Sequence, residues 1–426
     1  MKIRSSRCRL SGEAAIPGSK SHTIRGLVIG LLAEGTSTLL RPLASGDTES
    51  CVNACRALGA TVDTSAPDRW TIRGTAGRPA AAIGVVDVGN SGTTLRLAMG
   101  AAALAAGLTE FTGDEQIRRR PVGPLIEALR TLGATAYSKG GTGCAPLVVG
   151  EGLRGGQVSI ECPTSQYLSS LLISCPLAAG DTEIDVPLLN EKPYVAMTCR
   201  WLRELGIELE AAEDLQHFRI PGAQRYPAFE RAVPADFSSA TFFLVAAAVT
   251  GSEVLLRGLD MADTQGDKAV VGMLEQMGCE AAAEPDGLRF RGPERLTGCD
   301  LDLNSTPDAL PSLAVAGCLA EGRTRLLNVP QARIKETDRI RVMAEQLTAM
   351  GARVEELPDG LVIQGGTLRG AEVHGYGDHR VVMALAVAGM AAEGVTTVDT
   401  AEAMTITFPT FPDLMRGLGA PLEVIC

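Results

Sequence analysis

Several segments of this sequence combine glycine or hydroxyl side chains with cations just before an apolar run, a composition that suits the binding of small anions. The first is PGSKSHTIR at Pro17–Arg25, which carries Lys20, Ser21 and Arg25 and enters an apolar, helix-like stretch. Backbone N–H groups at a helix start, together with hydroxyls and a lysine, form an anion site. The same residues also fit a capped helix with two surface cations, so this segment alone leaves both interpretations open.

Two further segments in the first half have the same ambiguity. GNSGTTLR at Gly89–Arg96 places two glycines before a helix, which predicts either a phosphate or carboxylate cradle or a structural turn. Arg118, Arg119 and Arg120 precede Pro121, which we expect to open the next helix. Three guanidinium groups there could clamp a carboxylate or phosphate through paired hydrogen bonds, or could form a basic surface turn.

The second half of the chain has acids close to cations at expected helix starts. The segments are TPDA at Thr306–Ala309, IKETDR at Ile334–Arg339 and GDHR at Gly377–Arg380. Acids near cations are what proton transfer to and from an anionic substrate requires. Taken alone, Glu336 and Asp338 could instead be helix N-terminal acids, and His379 could be a core histidine.

The elements that position these segments belong to a repeat. An apolar segment followed by Leu-Gly or Met-Gly and then a strand pattern occurs six times, with its glycines at Gly59, Gly133, Gly206, Gly278, Gly351 and Gly419. A second phrase, an Ala-rich segment that ends in Gly before a β-branched run, has its glycines at Gly35, Gly107, Gly180, Gly251, Gly322 and Gly394. Successive glycines are 68 to 74 residues apart in the first series and 71 to 73 apart in the second. We expect each glycine to be the left-handed residue just past a helix C-terminus.

Each repeat therefore predicts an α/β unit with the order helix, strand, helix, strand, strand. The last two strands are expected to form a hairpin, as in Ala352–Gln364 with Pro358-Asp359-Gly360 as its turn. Two crossover helices per repeat predict parallel strand pairing with an antiparallel edge. The sixth repeat stops soon after Gly419, so we expect the N-terminal strand in Met1–Ile16 to complete it.

Counting repeats with this closure predicts two lobes of three repeats each. The first lobe would comprise residues 18–233, and the second would be discontinuous, with residues 1–17 and 234–426. Equivalent helix starts in a repeat point the same way, so we expect the helix N-termini of the two lobes to face each other across a positively charged cleft.

Composition excludes several classes of function. The 426 residues have a net charge of −11, which argues against nucleic acid as a partner, and Val381–Ala392 is too short an apolar stretch to cross a membrane. No secretory signal is recognisable at the N-terminus. The eleven cysteines are scattered, with Cys51 and Cys55 as the only close pair and no histidine nearby, so we expect no metal, no cofactor and a cytoplasmic protein.

At its motifs the sequence resembles the 5-enolpyruvylshikimate-3-phosphate synthase family. The motifs occur in the family's order: PGSKS…R at Pro17–Arg25, GNSGTTLR at Gly89–Arg96, RRPVG at Arg119–Gly123, TSQYLSSLL at Thr164–Leu172, ADFSSATFFL at Ala235–Leu244, PDA at Pro307–Ala309, KETDR at Lys335–Arg339 and GDHR at Gly377–Arg380. The resemblance implies two lobes of three βαβαββ repeats and transfer of the enolpyruvyl group of phosphoenolpyruvate to the 5-hydroxyl of shikimate 3-phosphate. It implies these small molecules as partners, with no nucleic acid and no membrane, and we expect a monomer.

The resemblance also implies roles for individual residues. Shikimate 3-phosphate would be held by Lys20, Ser21, Arg25, Thr164, Ser165, Gln166, Asp308 and Lys335. Phosphoenolpyruvate would be held by Lys20, Gly92, Arg120, Gln166, Arg339 and Arg380. Asp308 would accept the proton of the 5-hydroxyl, and Glu336 with Lys20 would carry the proton exchanged at the methylene carbon. Charge would be stabilised while water is excluded, through closure of the lobes.

Three positions depart from the family pattern. Thr164 stands where many members have a serine, which keeps the hydroxyl. Glu191 precedes Lys192-Pro193-Tyr194 where many members have a serine that binds phosphate, and a carboxylate is an unsuitable neighbour for phosphate. Ile406 precedes Thr407-Phe408-Pro409 where many members have a lysine, so the contact that this lysine would make to phosphoenolpyruvate is missing from the pattern.

Three other functions compete with this one. An enolpyruvyl transferase that acts on UDP-N-acetylglucosamine would share the fold, but it commonly carries a cysteine in the loop matching Phe111–Gly123, where this chain has none. An RNA 3′-phosphate cyclase is built from related units but needs nucleotide-binding features. A non-enzymatic repeat scaffold would have bland loops, whereas here the charges lie in distinctive ones.

Overall fold

The computed structural model describes residues 1–426, which form twelve α-helices and 26 β-strands. The helices are α1 (Lys20–Leu32), α2 (Gly46–Ala57), α3 (Gly92–Ala102), α4 (Gly123–Thr131), α5 (Ser165–Ser174), α6 (Lys192–Glu204), α7 (Phe237–Thr250), α8 (Ala269–Gln276), α9 (Leu310–Leu319), α10 (Arg339–Ala349), α11 (His379–Gly389) and α12 (Phe411–Gly417).

The strands are short, between two and six residues. They are β1 (Lys2–Ser6), β2 (Glu13–Ala15), β3 (Thr36–Leu40), β4 (Thr61–Ala66), β5 (Arg69–Arg73), β6 (Val85–Asp87), β7 (Leu108–Thr112), β8 (Thr135–Ser138), β9 (Leu147–Gly150), β10 (Gly156–Ser159), β11 (Thr182–Asp185), β12 (Glu210–Ala211), β13 (His217–Ile220), β14 (Glu230–Ala232), β15 (Glu253–Arg257), β16 (Glu280–Glu284), β17 (Gly287–Arg291), β18 (Leu296–Thr297), β19 (Asp300–Asp302), β20 (Ala320–Glu321), β21 (Arg323–Leu327), β22 (Arg353–Leu357), β23 (Gly360–Gln364), β24 (Glu372–Val373), β25 (Val395–Val398) and β26 (Glu423–Ile425).

Six four-stranded sheets repeat one topology, with an additional two-stranded pair of β18 and β20. Their strand orders are β14-β3-β5-β4, β6-β7-β9-β8, β10-β11-β13-β12, β2-β15-β17-β16, β19-β21-β23-β22 and β24-β25-β1-β26. In each sheet the first two strands are parallel and the remaining pairs are antiparallel. The predicted α/β repeat, with parallel pairing and an antiparallel edge, is therefore confirmed, as is the hairpin in which Leu357 pairs with Gly360.

The sixth sheet is completed by the N-terminal strand, as the repeat count predicts. Strand β1 lies between β25 and β26, with Ile3 opposite Val398 and Lys2 opposite Ile425. It takes the place that the second hairpin strand occupies in the other repeats. Segments that join repeats also supply the parallel edges of two sheets, since β14 pairs with β3 and β2 pairs with β15.

The chain divides into two compact units, each with its own apolar core. We call residues 18–233 the continuous unit, and residues 1–17 with 234–426 the discontinuous unit. The cores centre on the inner helices α1, α3 and α5 of the continuous unit and α7, α9 and α11 of the discontinuous unit, which are buried almost all round. The other six helices bury one face only, as amphipathic surface helices do.

The two series of glycines differ in backbone conformation. Every glycine of the first series directly follows the C-cap residue of a helix that buries one face only, which we call a one-sided helix. Each of these glycines has a φ between 76° and 102°, so the prediction of a left-handed residue is confirmed for this series. The second series follows the inner helices, and there the prediction is wrong for Gly107 and Gly180, which are not among the positive-φ residues. Helices α3 and α5 end at Ala102 and Ser174, five or six residues earlier, so neither glycine lies just past a helix C-terminus. Gly394 is likewise five residues past the end of α11 but has a φ of 96°.

All eleven cysteines are free thiols, and most of them are buried. No helix is long and apolar enough to cross a bilayer. No group of three or more His, Cys, Asp or Glu side chains is arranged to hold a metal ion.

Candidate active site

In the continuous unit, three of the expected anion-binding residues are the first residues of helices α1, α3 and α5. Lys20 begins α1, Gly92 begins α3 and Ser165 begins α5. The side chain of Ser91 caps α3 by accepting the N–H of Thr94 at 3.3 Å. N–H groups that have no partner inside a helix are concentrated at such starts, and they attract anions.

Gly92 lies between two buried guanidinium groups, those of Arg96 and Arg120. A β carbon at Gly92 would lie 2.5 Å from an Nη1 atom of each arginine, so only glycine leaves this space open. Arg96 donates to the Gly92 carbonyl at 3.1 Å and to the Gln166 side chain at 3.0 Å. Two like charges held this close, with little water, favour a bound anion that both can contact.

Arg96 was not among the site residues expected from the sequence. Arg96 is 5% exposed, and burial lowers its pKa, an effect to which the nearby charge of Arg120 adds. The sequence signal was its place four residues after Gly92 in the first turn of a helix. The family motif assigns the contact with phosphoenolpyruvate to Gly92 and not to Arg96.

The prediction for the run Arg118, Arg119 and Arg120 is corrected in two respects. Only Arg120 is buried, and the other two are exposed. Pro121 does not open the next helix, since α4 begins at Gly123 and has its proline in the first turn. The Pro121 carbonyl instead accepts a hydrogen bond from the Tyr167 hydroxyl at 2.5 Å. This bond connects Pro121 to helix α5, which contains Tyr167.

Arg25 is the most deeply held cation of the continuous unit. It is 2% exposed, and it donates to the Thr198 hydroxyl at 2.9 Å, the Ser21 carbonyl at 3.1 Å and the Tyr194 carbonyl at 3.1 Å. Burial lowers its pKa to about 10, and the neighbouring negative charge of Glu191 opposes that shift. Arg25 is therefore a fixed positive charge whose donors are largely engaged by the protein.

Lys20 is paired with an acid that was not singled out in the sequence. Its Nζ lies 3.0 Å from an Oδ2 of Asp47, which is in the first turn of α2. The backbone carbonyl of Asp47 accepts from the Thr94 hydroxyl at 3.4 Å, which ties the starts of α2 and α3 together. An incoming anion would have to share Lys20 with this carboxylate.

Thr164 and Ser165 are brought together, but around a carboxylate of the chain itself. The Oε2 atom of Glu191 accepts from the Ser165 N–H at 3.1 Å, the Ser165 hydroxyl at 2.8 Å and the Thr164 hydroxyl at 3.2 Å. Glu191 is 2% exposed and has a left-handed backbone, with φ 58° and ψ 40°. The residue that departs from the family pattern therefore contacts two of the expected phosphate ligands. We call Lys20, Arg25, Arg96, Arg120, Asp47 and Glu191 the cationic cluster.

In the discontinuous unit, three cations surround the carboxylate of Asp308. Its Oδ1 lies 2.8 Å from Nη1 of Arg339 and 3.9 Å from Nζ of Lys335, and its Oδ2 lies 2.9 Å from Nη2 of Arg380. Asp308 is in a short 3₁₀ turn, Pro307–Ala309, directly before α9. Four residues from three separate motifs are thus adjacent in this unit.

Arg339 is the centre of this arrangement. It is 1% exposed and contacts three carboxylates, since Asp378 and Glu336 bind the guanidinium beside Asp308. Burial alone would lower its pKa, but the charges of Asp378, Glu336 and Asp308 outweigh burial and raise it. We call Lys335, Arg339, Arg380, Asp308, Glu336 and Asp378 the balanced cluster.

Asp378 is a third residue, after Arg96 and Asp47, that sequence reasoning did not select. It is completely buried, accepts from Nε of Arg339 at 2.8 Å and caps α11 by accepting the Arg380 N–H at 2.9 Å. It also accepts from the Thr337 hydroxyl at 3.0 Å. The acid of the GDHR motif therefore fixes Arg339 and the start of the helix that carries Arg380.

Glu336 and Asp338, which could each have been a helix N-terminal acid, have different roles. Asp338 caps α10 by accepting the Arg341 N–H at 3.1 Å, so the helix-terminal interpretation is correct for this residue. Glu336 binds Arg339 instead. His379 is the buried first residue of α11. Ile406 packs against the apolar core of its unit and contributes no cation.

The Asp308 carboxyl has a pKa far below its ordinary value. Burial alone would raise that pKa, but the charges of Arg380, Lys335 and Arg339 outweigh burial and lower it. A carboxylate in this state is ionised at neutral pH and is a weak base. It can accept a proton efficiently only when some of these cations are engaged by another anion.

Comparison with known proteins gives a consistent result over the whole chain. The family model described as EPSP synthase (3-phosphoshikimate 1-carboxyvinyltransferase) matches residues 5–415. The 3-phosphoshikimate 1-carboxyvinyltransferase of Acetivibrio thermocellus is 53% identical over 423 residues, which cover 99% of each chain. The protein of the same name from Methanocella arvoryzae is 46% identical over 427 residues, all of both chains.

A solved structure agrees with these relatives. The EPSP synthase of Acinetobacter baumannii has a TM-score of 0.84 and 28% sequence identity, and the match covers 100% of both chains. The resemblance noted at the motifs and the α/β fold class are therefore confirmed. The chain belongs to the EPSP synthase (3-phosphoshikimate 1-carboxyvinyltransferase) family.

Proposed function

We propose that this protein transfers the enolpyruvyl group of phosphoenolpyruvate to the 5-hydroxyl of shikimate 3-phosphate and releases inorganic phosphate. The observation that carries the proposal is the 53% identity, over 99% of each chain, to a relative that is named for this reaction. The site geometry agrees with the charge of the substrates, since each cluster contains at least three cations. This reaction belongs to the biosynthesis of aromatic amino acids.

The binding roles follow the motif positions. Shikimate 3-phosphate is held by Lys20, Ser21, Arg25, Thr164, Ser165 and Gln166 of the continuous unit and by Asp308 and Lys335 of the discontinuous unit. Phosphoenolpyruvate is held by Lys20, Gly92, Arg120 and Gln166 of the continuous unit and by Arg339 and Arg380 of the discontinuous unit. The open space at Gly92 beside Arg96 and Arg120 supports an anion contact there, and it adds Arg96 to this set.

The first chemical step is addition. The 5-hydroxyl oxygen bonds to C2 of phosphoenolpyruvate while the methylene carbon gains a proton and becomes a methyl group. Asp308 takes the proton of the hydroxyl. Its pKa is too low for this task while Arg339, Arg380 and Lys335 surround it, so substrate anions must engage those cations first. Substrate binding thereby turns Asp308 from a counter-ion into a base.

The second step is elimination. The bond between C2 and the phosphate oxygen breaks, the methyl group loses one proton and the enol ether of the product forms. Glu336 and Lys20 carry the proton that is added to and removed from this carbon. The Glu336 carboxylate is bound to Arg339, so its basicity also depends on how strongly a substrate anion engages that arginine.

Residues of both units are needed for one turnover in this proposal. We propose that the two units are the two lobes expected from the repeats, residues 18–233 and residues 1–17 with 234–426. We also propose that the protein is a monomer, because all the roles above are filled by one chain. A reducing cytoplasm suits its eleven free thiols.

The experiment that tests the function measures phosphate release from phosphoenolpyruvate with different acceptors. Release should require shikimate 3-phosphate, and the product should carry one enolpyruvyl group per phosphate released. Transfer to UDP-N-acetylglucosamine, the alternative considered from the sequence, is not favoured, because the full-length relatives carry the other name. Release driven by the UDP-sugar and not by shikimate 3-phosphate would overturn the proposal.

A further inference from the structure

We infer that the Glu191 carboxylate is a built-in competitor for the phosphate group of shikimate 3-phosphate, and that it limits the affinity of this chain for that substrate. The inference rests on the proposed function, because it takes Thr164 and Ser165 as ligands of the substrate phosphate. It concerns a residue to which the proposed reaction gives no role.

The contact of Glu191 uses the donors that a phosphate would need. Three donors converge on a single oxygen, Oε2: the Ser165 N–H, the Ser165 hydroxyl and the Thr164 hydroxyl, all within 3.2 Å. The N–H belongs to the first residue of α5, where the helix dipole favours negative charge. Thr164 makes no capping bond to its own helix, so the Glu191 side chain replaces that cap.

A carboxylate and a phosphate cannot use these donors at the same time. Each N–H or O–H offers one proton, and two anions at hydrogen-bond distance from the same donors repel each other strongly in a buried site. Substrate must therefore displace Glu191. If the competent, displaced state is populated about one tenth of the time, the apparent dissociation constant rises about tenfold.

The charge of Glu191 also has a stabilising role in the empty protein. It is one of the negative charges that raise the pKa of the buried guanidinium groups of Arg25 and Arg96, against the lowering by burial. Glu191 itself is held in a left-handed backbone conformation that residues with a β carbon seldom adopt.

These two roles predict that one substitution lowers the stability of the protein and raises its affinity for phosphate. Glu191→Gln keeps the size of the side chain and removes its charge. The empty protein should become less heat-stable, because Arg25 and Arg96 lose a counter-charge. The variant should nevertheless bind phosphate more tightly, because an amide competes less well for the donors and does not repel the ligand. A residue that only supports the fold would give the first effect without the second.

The test is a calorimetric titration, first with inorganic phosphate and then with shikimate 3-phosphate, in the absence of phosphoenolpyruvate. Glu191→Gln should bind each ligand about tenfold more tightly than the parent chain. The matched control is Glu127→Gln, which removes one charge from the continuous unit at an exposed pair with Arg130 and should leave both affinities unchanged. If Glu191→Gln does not fold, Glu191→Ala provides the comparison, because it removes the carboxylate without adding a donor for phosphate.

The outcomes separate the two proposals. Equal or weaker binding of inorganic phosphate by the Glu191 variants, or no detectable binding to any of the proteins, would overturn the inference whatever the enzyme catalyses. Tighter binding of inorganic phosphate with no response to shikimate 3-phosphate in any variant would support the role of Glu191 and contradict the proposed function.

Discussion

The two charged clusters of this protein differ in their balance. The cationic cluster of the continuous unit has four cations and two carboxylates, whereas the balanced cluster of the discontinuous unit has three of each. In the first, two buried guanidinium groups adjoin an open space at Gly92. In the second cluster, each of the three cations forms an ion pair with a carboxylate. An anion can therefore add at the open space beside Gly92, whereas at the donors held by Glu191, and throughout the second cluster, it must displace a carboxylate.

This difference suggests a division of tasks. An excess of positive charge attracts and orients a phosphorylated substrate without changing the protonation of its surroundings. An ionic network responds differently, because a new anion draws Arg339 or Arg380 away from Asp308 and raises the pKa of that carboxyl. Binding is thus expected to depend mainly on the cationic cluster and proton transfer on the balanced cluster.

The largest expected effect is on the free energy of unfolding, when Asp378→Asn removes one of the three carboxylates of the balanced cluster. Asparagine can still cap α11, but Arg339 loses the buried carboxylate that contacts its Nε. We expect a loss of about 3 kcal/mol in the free energy of unfolding, as for other buried pairs that lose one partner. Urea unfolding of the variant measures it.

The control for this variant is an exposed ion pair. Asp413→Asn removes the partner of Arg416, whose pairing lies in solvent. It should cost less than about 0.5 kcal/mol. Equal costs for the two substitutions would contradict the view that the balanced cluster is held together by buried charge.

The next effect is on turnover, when Asp308→Asn removes the proposed base. Turnover should fall by about 100-fold or more, the range attributed to general base catalysis. The KM for phosphoenolpyruvate should change much less, since Arg339 and Arg380 remain. Steady-state kinetics at saturating shikimate 3-phosphate measures both constants, and a loss confined to KM would assign Asp308 to binding alone.

A smaller effect is expected when Gly92→Ala crowds the cationic cluster. The new methyl group would lie 2.5 Å from Arg96 and Arg120, so both guanidinium groups must move. Partial loss of charge-assisted hydrogen bonds should raise the KM for phosphoenolpyruvate about tenfold. Gly123→Ala is the control, because its β carbon would meet nothing within 4 Å. Similar KM values for the two variants would rule out crowding as the cause.

The smallest effect is a dependence of stability on pH. The pKa of Asp378 is lowered in the folded protein: burial would raise it, but the charge of Arg339 outweighs burial. Its stabilising contribution is therefore present above the unfolded pKa of about 3.9 and is lost as pH falls towards the folded pKa. The stability difference between the parent and Asp378→Asn should stay constant from about pH 5 to 8 and shrink below about pH 4. A difference that shrinks near neutral pH would contradict this assignment.

Much of the fold could be predicted from the sequence because each repeat carries the same local signals. The glycines after the one-sided helices and the hairpin turn before Gly360 each depend on neighbouring residues only. The ends of the inner helices were harder, since the sequence pattern placed Gly107 and Gly180 directly after helices that end five or six residues earlier. The closure of the sixth sheet by β1 followed from counting strands.

The site was less predictable, because its charges are set by contacts distant in sequence. Motifs indicated Lys20 and Arg339, but not that Asp47 and Asp378 would pair with them. The sequence indicated that a carboxylate at position 191 is unsuitable beside a phosphate. Its bonds to the start of α5, however, depend on how the starts of α5 and α6 are placed relative to each other. Pairings of this kind form only when segments distant in sequence meet in the folded chain.

The measurement that tests the central claim most directly is the reaction run in D₂O with phosphoenolpyruvate and shikimate 3-phosphate, followed by NMR of the enolpyruvyl methylene group. Addition followed by elimination passes through a methyl group that receives a solvent proton, so the product should carry deuterium at that carbon. Glu336→Gln should slow the incorporation. Product with no deuterium, formed at the normal rate, would contradict the account.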